Sequence, residues 1–251
     1  MEILGYTYLF IFGLVFGSFY NVVGIRLAHN ESIVFPRSHC PHCGHTLTAT
    51  ELIPALSYLF QKGRCRNCSA SVSAKYPFFE LLTASLFTIS PLLTGWSKDL
   101  PVALVLVSLV VIVSIADIDS MIIPNKVLLF FGITGILLRL FIPTVPWWNG
   151  WVGAVTGFIM LSLIAILSKD GMGGGDIKYF AVLGLFVGVK GIVLSLVLAA
   201  VLGLVYGLFA ILILKKDRKE PIPFGPFIGA ATLIIFYFDE QIGNLLKLLY
   251  I

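Results

Sequence analysis

The chain has 251 residues, of which 58% are hydrophobic and 12% charged, with a formal net charge of +4. Soluble globular proteins carry about 25% charged residues, and a mean hydropathy of +0.99 would leave a water-soluble domain with large exposed apolar patches. A disordered chain and an ordinary cytosolic enzyme are both excluded, which leaves a polytopic membrane protein.

The first apolar run, 3–25, contains no charged residue. Roughly 17–25 helical residues cross a hydrocarbon core of about 30 Å. No basic residue precedes the run and it is too long for a signal-peptide core, so it reads as a span and not as a cleavable leader. Segment 26–77 is the one sizeable polar piece, too small to bury much core without a staple. It holds all four cysteines, as Cys40-x2-Cys43 and Cys65-x2-Cys68, with 21 residues between the pairs. Paired knuckles of this kind suit one tetrahedral zinc ion, and four thiolates leave no open position, so the metal is expected to be structural. Two disulfides are the alternative for the same spacing. The zinc reading is preferred because the topology below puts the segment in a reducing compartment. His39, His42 and His45 flank the first pair and read as surface residues.

Candidate spans then follow at 78–95, 100–116, 127–142, 151–168, 177–189, 191–214 and 224–238, making about eight in all; the sixth and eighth are short. The runs 100–116 and 191–214 are also free of charge. With the N-terminus outside, segments 26–77, 117–126, 169–178 and 215–223 face the cytosol and hold 13 of the 17 basic residues; Lys98, Arg139, Lys190 and Lys247 are the exceptions. That asymmetry sets the orientation as N-out and C-out. Trp147, Trp148 and Trp151 fit an interfacial aromatic belt. An amphipathic stretch, 241–251, ends the chain. The expected fold is all-α, with about eight transmembrane helices and a small cytosolic zinc-binding insertion. No feature points to nucleic acid.

Two charged clusters stand where spans meet the cytosol: Asp117 and Asp119 in the segment 116–125, and Asp176 after Gly173, Gly174 and Gly175. Carboxylates at a membrane edge are costly and are functional candidates by default. Asp117 and Asp119 also fit a plain helix end, and Asp176 a helix N-cap. Two aspartates on different helices, at one depth and one face, are what an aspartic protease needs, because one ionised carboxylate takes a proton from water while the other, protonated, polarises the scissile carbonyl. The glycines let a substrate backbone approach Asp176, and Pro124 orients the loop after Asp117. A proton-coupled transporter using Asp117 and Asp176 as relay groups is one rival reading. A scaffold whose zinc module binds a partner is another.

At these residues the sequence resembles the type IV prepilin peptidase family, bifunctional leader peptidases and N-methyltransferases. Gly17-Ser18-Phe19-Tyr20-Asn21-Val22-Val23 with Arg26-Leu27 looks like its opening motif, and Cys40, Cys43, Cys65 and Cys68 like its zinc-binding insertion. Tyr76-Pro77-Phe78-Phe79-Glu80 resembles the lead into its second helix. The segment 117–125 is similar to its first aspartate motif, Gly173-Gly174-Gly175-Asp176 to its GxGD motif, and Pro223-Phe224-Gly225-Pro226-Phe227 to its C-terminal signature. The resemblance runs nearly the whole chain. It implies Asp117 and Asp176 as the catalytic pair, supported by Gly173, Gly174, Gly175 and Pro124. It divides the chain into a first helix (1–25), a zinc-binding and candidate methyltransferase segment (26–77) and a GxGD aspartic peptidase domain (78–251). It further implies a bacterial plasma-membrane enzyme that cuts prepilins or pseudopilins after a glycine at the cytosolic face and methylates the new N-terminus with S-adenosylmethionine. Two departures stand out. Asn125 replaces a common aspartate, and Glu51-Leu52-Ile53-Pro54 replaces Glu-Asn-Ile-Pro in the methyltransferase region. Glu31, Glu51, Asp117 and Asp119 are the candidates for contacts with a basic leader, and the basic residues are expected to meet anionic lipid headgroups.

Overall fold

A computed structural model describes residues 2–168, 173–215, 217, 221–239 and 241–243. Lys169, Lys216, Arg218, Lys219, Glu240 and the end of the amphipathic stretch, 244–251, lie outside the described residues. The elements are α1 (Glu2–Ala28), a 3-10 turn (Ala49–Leu52), α2 (Leu56–Phe60), α3 (Lys75–Thr94), α4 (Asp99–Ser120), α5 (Asn125–Phe141), α6 (Asn149–Leu167), α7 (Gly174–Leu212) and α8 (Gly225–Tyr237). Among the described residues there is no strand, only the isolated bridges His39–Thr46 and Arg64–Ser71.

Among the described residues five helices, α1, α3, α4, α6 and α7, are long and apolar enough to cross a membrane. The expected eight spans are not all reached on that measure, because α5 has 17 residues and α8 only 13. The expected sixth and seventh spans lie together in α7, 39 residues long and interrupted at Gly188, where φ is 69° and ψ −174°. The chain turns back there. A Cβ on Gly157 would meet both the Phe180 carbonyl at 2.7 Å and Ile192 Cγ1 at 3.1 Å, whereas residues 12 apart in a straight helix stand about 18 Å apart. Gly188 permits the turn through its positive φ.

The break frees backbone groups, and buried side chains meet them. Arg139 of α5 donates from Nε to the Leu185 carbonyl at 3.0 Å and from Nη2 to the Phe186 carbonyl, while Asn149 Oδ1 accepts from the Val189 N–H at 3.0 Å. Irregular backbone at membrane depth is tolerated only when protein satisfies it in this way. Arg139, an exception to the basic residues expected on the cytosolic side, is a buried structural residue.

α4 is the central helix. Its run from Leu100 to Asp117 is almost wholly buried, including Val102, Ala103, Leu106, Val107 and Leu109 at 0% exposure. An apolar helix enclosed on all sides is one that neighbours surround. Small residues bring those neighbours close: a Cβ on Gly13 would stand 2.5 Å from Ala84 Cα, and one on Gly153 2.5 Å from the Gly184 carbonyl. Close backbone approach of this kind is how helices associate in lipid, where no hydrophobic force draws them together.

Candidate functional site

The four cysteines come together. Their sulfurs all lie within 4.8 Å of one another, with Cys40–Cys68 at 3.8 Å and Cys43–Cys65 at 4.0 Å. A disulfide needs about 2.05 Å, so the thiols are free. Four sulfurs around one zinc at about 2.3 Å stand about 3.8 Å apart, so the donor set and its spacing fit a closed tetrahedral metal site. The two knuckles are built alike. Cys40 N–H donates to the His45 carbonyl and Gly44 N–H to the Cys40 carbonyl, and Cys65 N–H and Ser69 N–H repeat the pattern with Ala70 and Cys65. The His45 backbone N–H and the Asn67 side chain hold the Cys43 thiol down at about 7, and the backbone N–H groups of Cys68 and Asn67 lower Cys65. Thiolates are the form a metal binds.

The histidines and acids of this segment have other partners. Glu51 is buried, accepting from Thr48 N–H at 2.9 Å, Thr48 Oγ1 at 2.8 Å and His45 Nε2 at 3.1 Å. Those bonds from Thr48, with His45 beside them, hold its carboxyl at about 2. The Glu51 carboxylate is thus used in a capping box through Oε2, while its Oε1 is buried with no hydrogen-bond partner among the described residues. Asp119 pairs with His29 at 3.0 Å. The cysteine segment is pinned to the bundle by the Ala55 N–H donating to Glu80 Oε2 at 2.6 Å and by Asn21 Nδ2 donating to the Tyr76 carbonyl at 3.2 Å.

Asp117 lies in the last turn of α4, is buried, and accepts the Gly225 N–H on Oδ2 at 2.7 Å. Gly225 opens α8, so its N–H is one of the unpaired donors of a helix start, a natural partner for a carboxylate. α4 closes at Met121, whose left-handed backbone donates its N–H to the Asp117 carbonyl. Pro124 then stands as the N-cap of α5. Asp176 is not an N-cap. Gly173 holds that position, and Asp176 occupies the third residue of α7, with its N–H on the Gly173 carbonyl at 3.1 Å. Its carboxylate reaches back to the Gly173 backbone, the second half of a capping box. The charge of Asp117 acts on Asp176, and both act on Tyr179.

The three glycines differ in what surrounds them. A Cβ on Gly175 would stand 3.0 Å from Ile123 Cβ, one on Gly173 3.3 Å from Asp176 Oδ2, and one on Gly174 would meet nothing within 4 Å. Lys178 donates to Asn125 Oδ1 at 2.8 Å, tying the start of α7 to the start of α5. Reading the sequence alone misses Gly225 as a donor and misses Tyr179. The first leaves no local signal because it is a backbone group. The second carries one, its position three residues after Asp176 on the same helix face.

A helical membrane bundle with this paired-carboxylate end and a four-cysteine insertion matches known proteins along its length. Residues 11–93 match the Bacterial Peptidase A24 N-terminal domain, and residues 104–208 match the Type IV leader peptidase family. The chain belongs to this family. It is 43% identical over 234 residues to a prepilin leader peptidase/N-methyltransferase of Bacillus subtilis, covering 93% of this chain and 94% of that protein. It is 34% identical over 271 residues to one of Aeromonas salmonicida, covering 95% and 92%, and 33% identical over 274 residues to one of Dichelobacter nodosus, covering 96% and 94%. No solved structure gives a significant match.

Proposed function

We propose that this protein is a prepilin leader peptidase whose water is activated by Asp117 and Asp176. The observation that carries the reading is the convergence of Asp117 at the end of α4 and Asp176 at the start of α7, near enough for the charge of Asp117 to act on Asp176, with Asp117 oriented by the Gly225 N–H. In the reaction one aspartate, ionised, takes a proton from water as the water oxygen bonds to the scissile carbonyl carbon. The other, protonated, donates to the carbonyl oxygen. The C–N bond then breaks and the leaving nitrogen takes up the proton. Gly174, with open space beside it, leaves room for a substrate backbone near Asp176.

Membership of the family and the names of its relatives support substrates that are prepilins or pseudopilins, cut at the cytosolic face of a bacterial plasma membrane. The excess of basic residues at the end holding the cysteines supports placing that end inside, against anionic lipid. Cys40, Cys43, Cys65 and Cys68 would hold a structural zinc ion that braces the segment between α1 and α3. N-methylation of the new terminus, with S-adenosylmethionine as donor, follows the names of the relatives. A cleft of about 730 Å³ in the cysteine segment is lined by Lys62, Arg64 and Arg66, and its acid is the already bonded Glu51. Glu51 is bonded there through Oε2 alone, its Oε1 being buried and unpartnered among the described residues, and methylation rests on those names. Nothing in the geometry favours a transporter, since Asp117 and Asp176 lie at helix ends and not at mid-span.

The test uses purified full-length protein, reconstituted in lipid with a precursor pilin. Asp117→Asn and Asp176→Asn are each expected to lose cleavage by at least about 100-fold. Either variant cutting at near wild-type rate would overturn the aspartic mechanism.

A further inference from the structure

Tyr179 is fully buried at 0% exposure, and its hydroxyl has no hydrogen-bond partner among the described residues. Almost every buried hydroxyl in a folded protein is paired, and one that is not calls for an explanation. Three observations say where this one faces. Tyr179 stands one turn after Asp176 on α7, and both Asp176 and Asp117 act on it electrostatically. On α8, a Cβ at Gly229 would stand 2.9 Å from the Tyr179 Oη and 2.5 Å from Val110 Cγ1, so that glycine makes the space in which the hydroxyl sits. Gly229 is four residues after Gly225, whose N–H holds Asp117, and so lies on the same face of α8.

We propose that Tyr179 is a further residue of the cleavage reaction, its hydroxyl donating a hydrogen bond to the water held between Asp117 and Asp176. The assignment rests on the aspartic reading given above. Tyr179 keeps its proton throughout. The water's proton passes to the ionised carboxylate as the water oxygen bonds to the scissile carbonyl carbon, and the tyrosine O–H, by occupying one lone pair of that oxygen, orients the other for the attack. A donor with no partner in the substrate-free protein is what this role needs, because the hydroxyl gives up no protein bond when the water is in place. The apolar neighbours, Val110 on α4 and the glycine face of α8, leave that water no competing donor on their side.

Tyr179→Phe tests this, since it keeps the ring and removes only the hydroxyl. In a purely structural role the change relieves an unpaired buried polar group, leaving cleavage unchanged. The proposal instead expects kcat on a precursor pilin to fall about 10- to 100-fold, the range for losing one hydrogen bond in a charged site, with KM within twofold and Tm unchanged or raised. A kcat within about twofold of wild type, a loss confined to KM, or a loss that travels with a lowered Tm overturns it. Asp117→Asn and Asp176→Asn run alongside. If those two cut normally, the aspartic reading fails and this assignment with it. If they are inactive while Tyr179→Phe retains full activity, only the tyrosine assignment fails.

Discussion

Gly225→Ala is the substitution that most directly tests how Asp117 is held. A Cβ at this position would stand 2.9 Å from Asp117 Oδ2, 3.2 Å from Cγ and 3.3 Å from Cβ, so the carboxylate must withdraw by a few tenths of an ångström. The bond it withdraws from is a 2.7 Å contact from a backbone N–H. A hydrogen bond to a charged group contributes about 1.5–3 kcal/mol, and each 1.36 kcal/mol of transition-state stabilisation is tenfold in rate. Losing most of the bond is therefore expected to lower kcat/KM about 10- to 100-fold. Folding is not expected to suffer, because alanine is the better helix former by up to about 1 kcal/mol. The assay is cleavage of a reconstituted precursor pilin, with thermal unfolding of the same samples. Gly132→Ala in α5 serves as the control, since its Cβ would meet nothing closer than Val182 Cγ2 at 3.7 Å, and it should cut normally. Wild-type cleavage by Gly225→Ala would refute the claim that the α8 backbone orients Asp117.

Glu51→Gln is expected to destabilise the cysteine segment by about 1 kcal/mol, the usual worth of a cap, seen as faster limited proteolysis within 29–74. Because the folded protein holds the Glu51 carboxyl at about 2 against an ordinary 4.5, its contribution is full above about pH 4.5 and is lost as pH falls toward 2, where variant and wild type should converge. The proposed zinc is expected to accompany the purified wild type and to be lost from Cys65→Ser, measured by elemental analysis, and a chelator should slow cleavage only as fast as the segment unfolds. Arg139→Met leaves the Leu185 and Phe186 carbonyls unpaired at the α7 break. It is expected to lower stability by about 2–6 kcal/mol, at about 1–3 per buried group, read as a drop in Tm.

Much of the helical frame is legible in the sequence, since a run such as 100–116 without charge can hardly be anything but a span, and α4 extends it by only a few residues to Asp99–Ser120. The cysteine cluster is legible for a similar reason, spacing being the whole of its signal. The fold-back in α7 is only half visible. The charge at Lys190 marks a place to divide two spans, but the turn belongs to Gly188, where a positive φ and not a charge decides the path. Arg139 misleads in the opposite way. A lone arginine near a span end counts in the sequence only toward the charge asymmetry, and only the tertiary fold supplies the broken helix end it bonds. Glu51 is similar: its use as a cap partner depends on Thr48 and His45 converging on one oxygen. At the aspartates, residue types and motif order point to Asp117 and Asp176, while the groups that surround them are a backbone N–H and two glycines on α8. Contacts made by main chain, 108 residues apart in sequence for Gly225 and Asp117, leave no pattern in residue type to read.

That separation has a consequence in time. A ribosome adds about 5–20 residues per second, so the segment holding Asp117 reaches the membrane about 5–20 s before Gly225 exists. A half-made copy already has its four cysteines and its first aspartate, and soon its second, but not the α8 backbone that aims Asp117. On the proposed reading the growing chain gains its cutting geometry only when α8 docks. Copies that stop short of α8 are then expected to leave the substrates inserted beside them uncut.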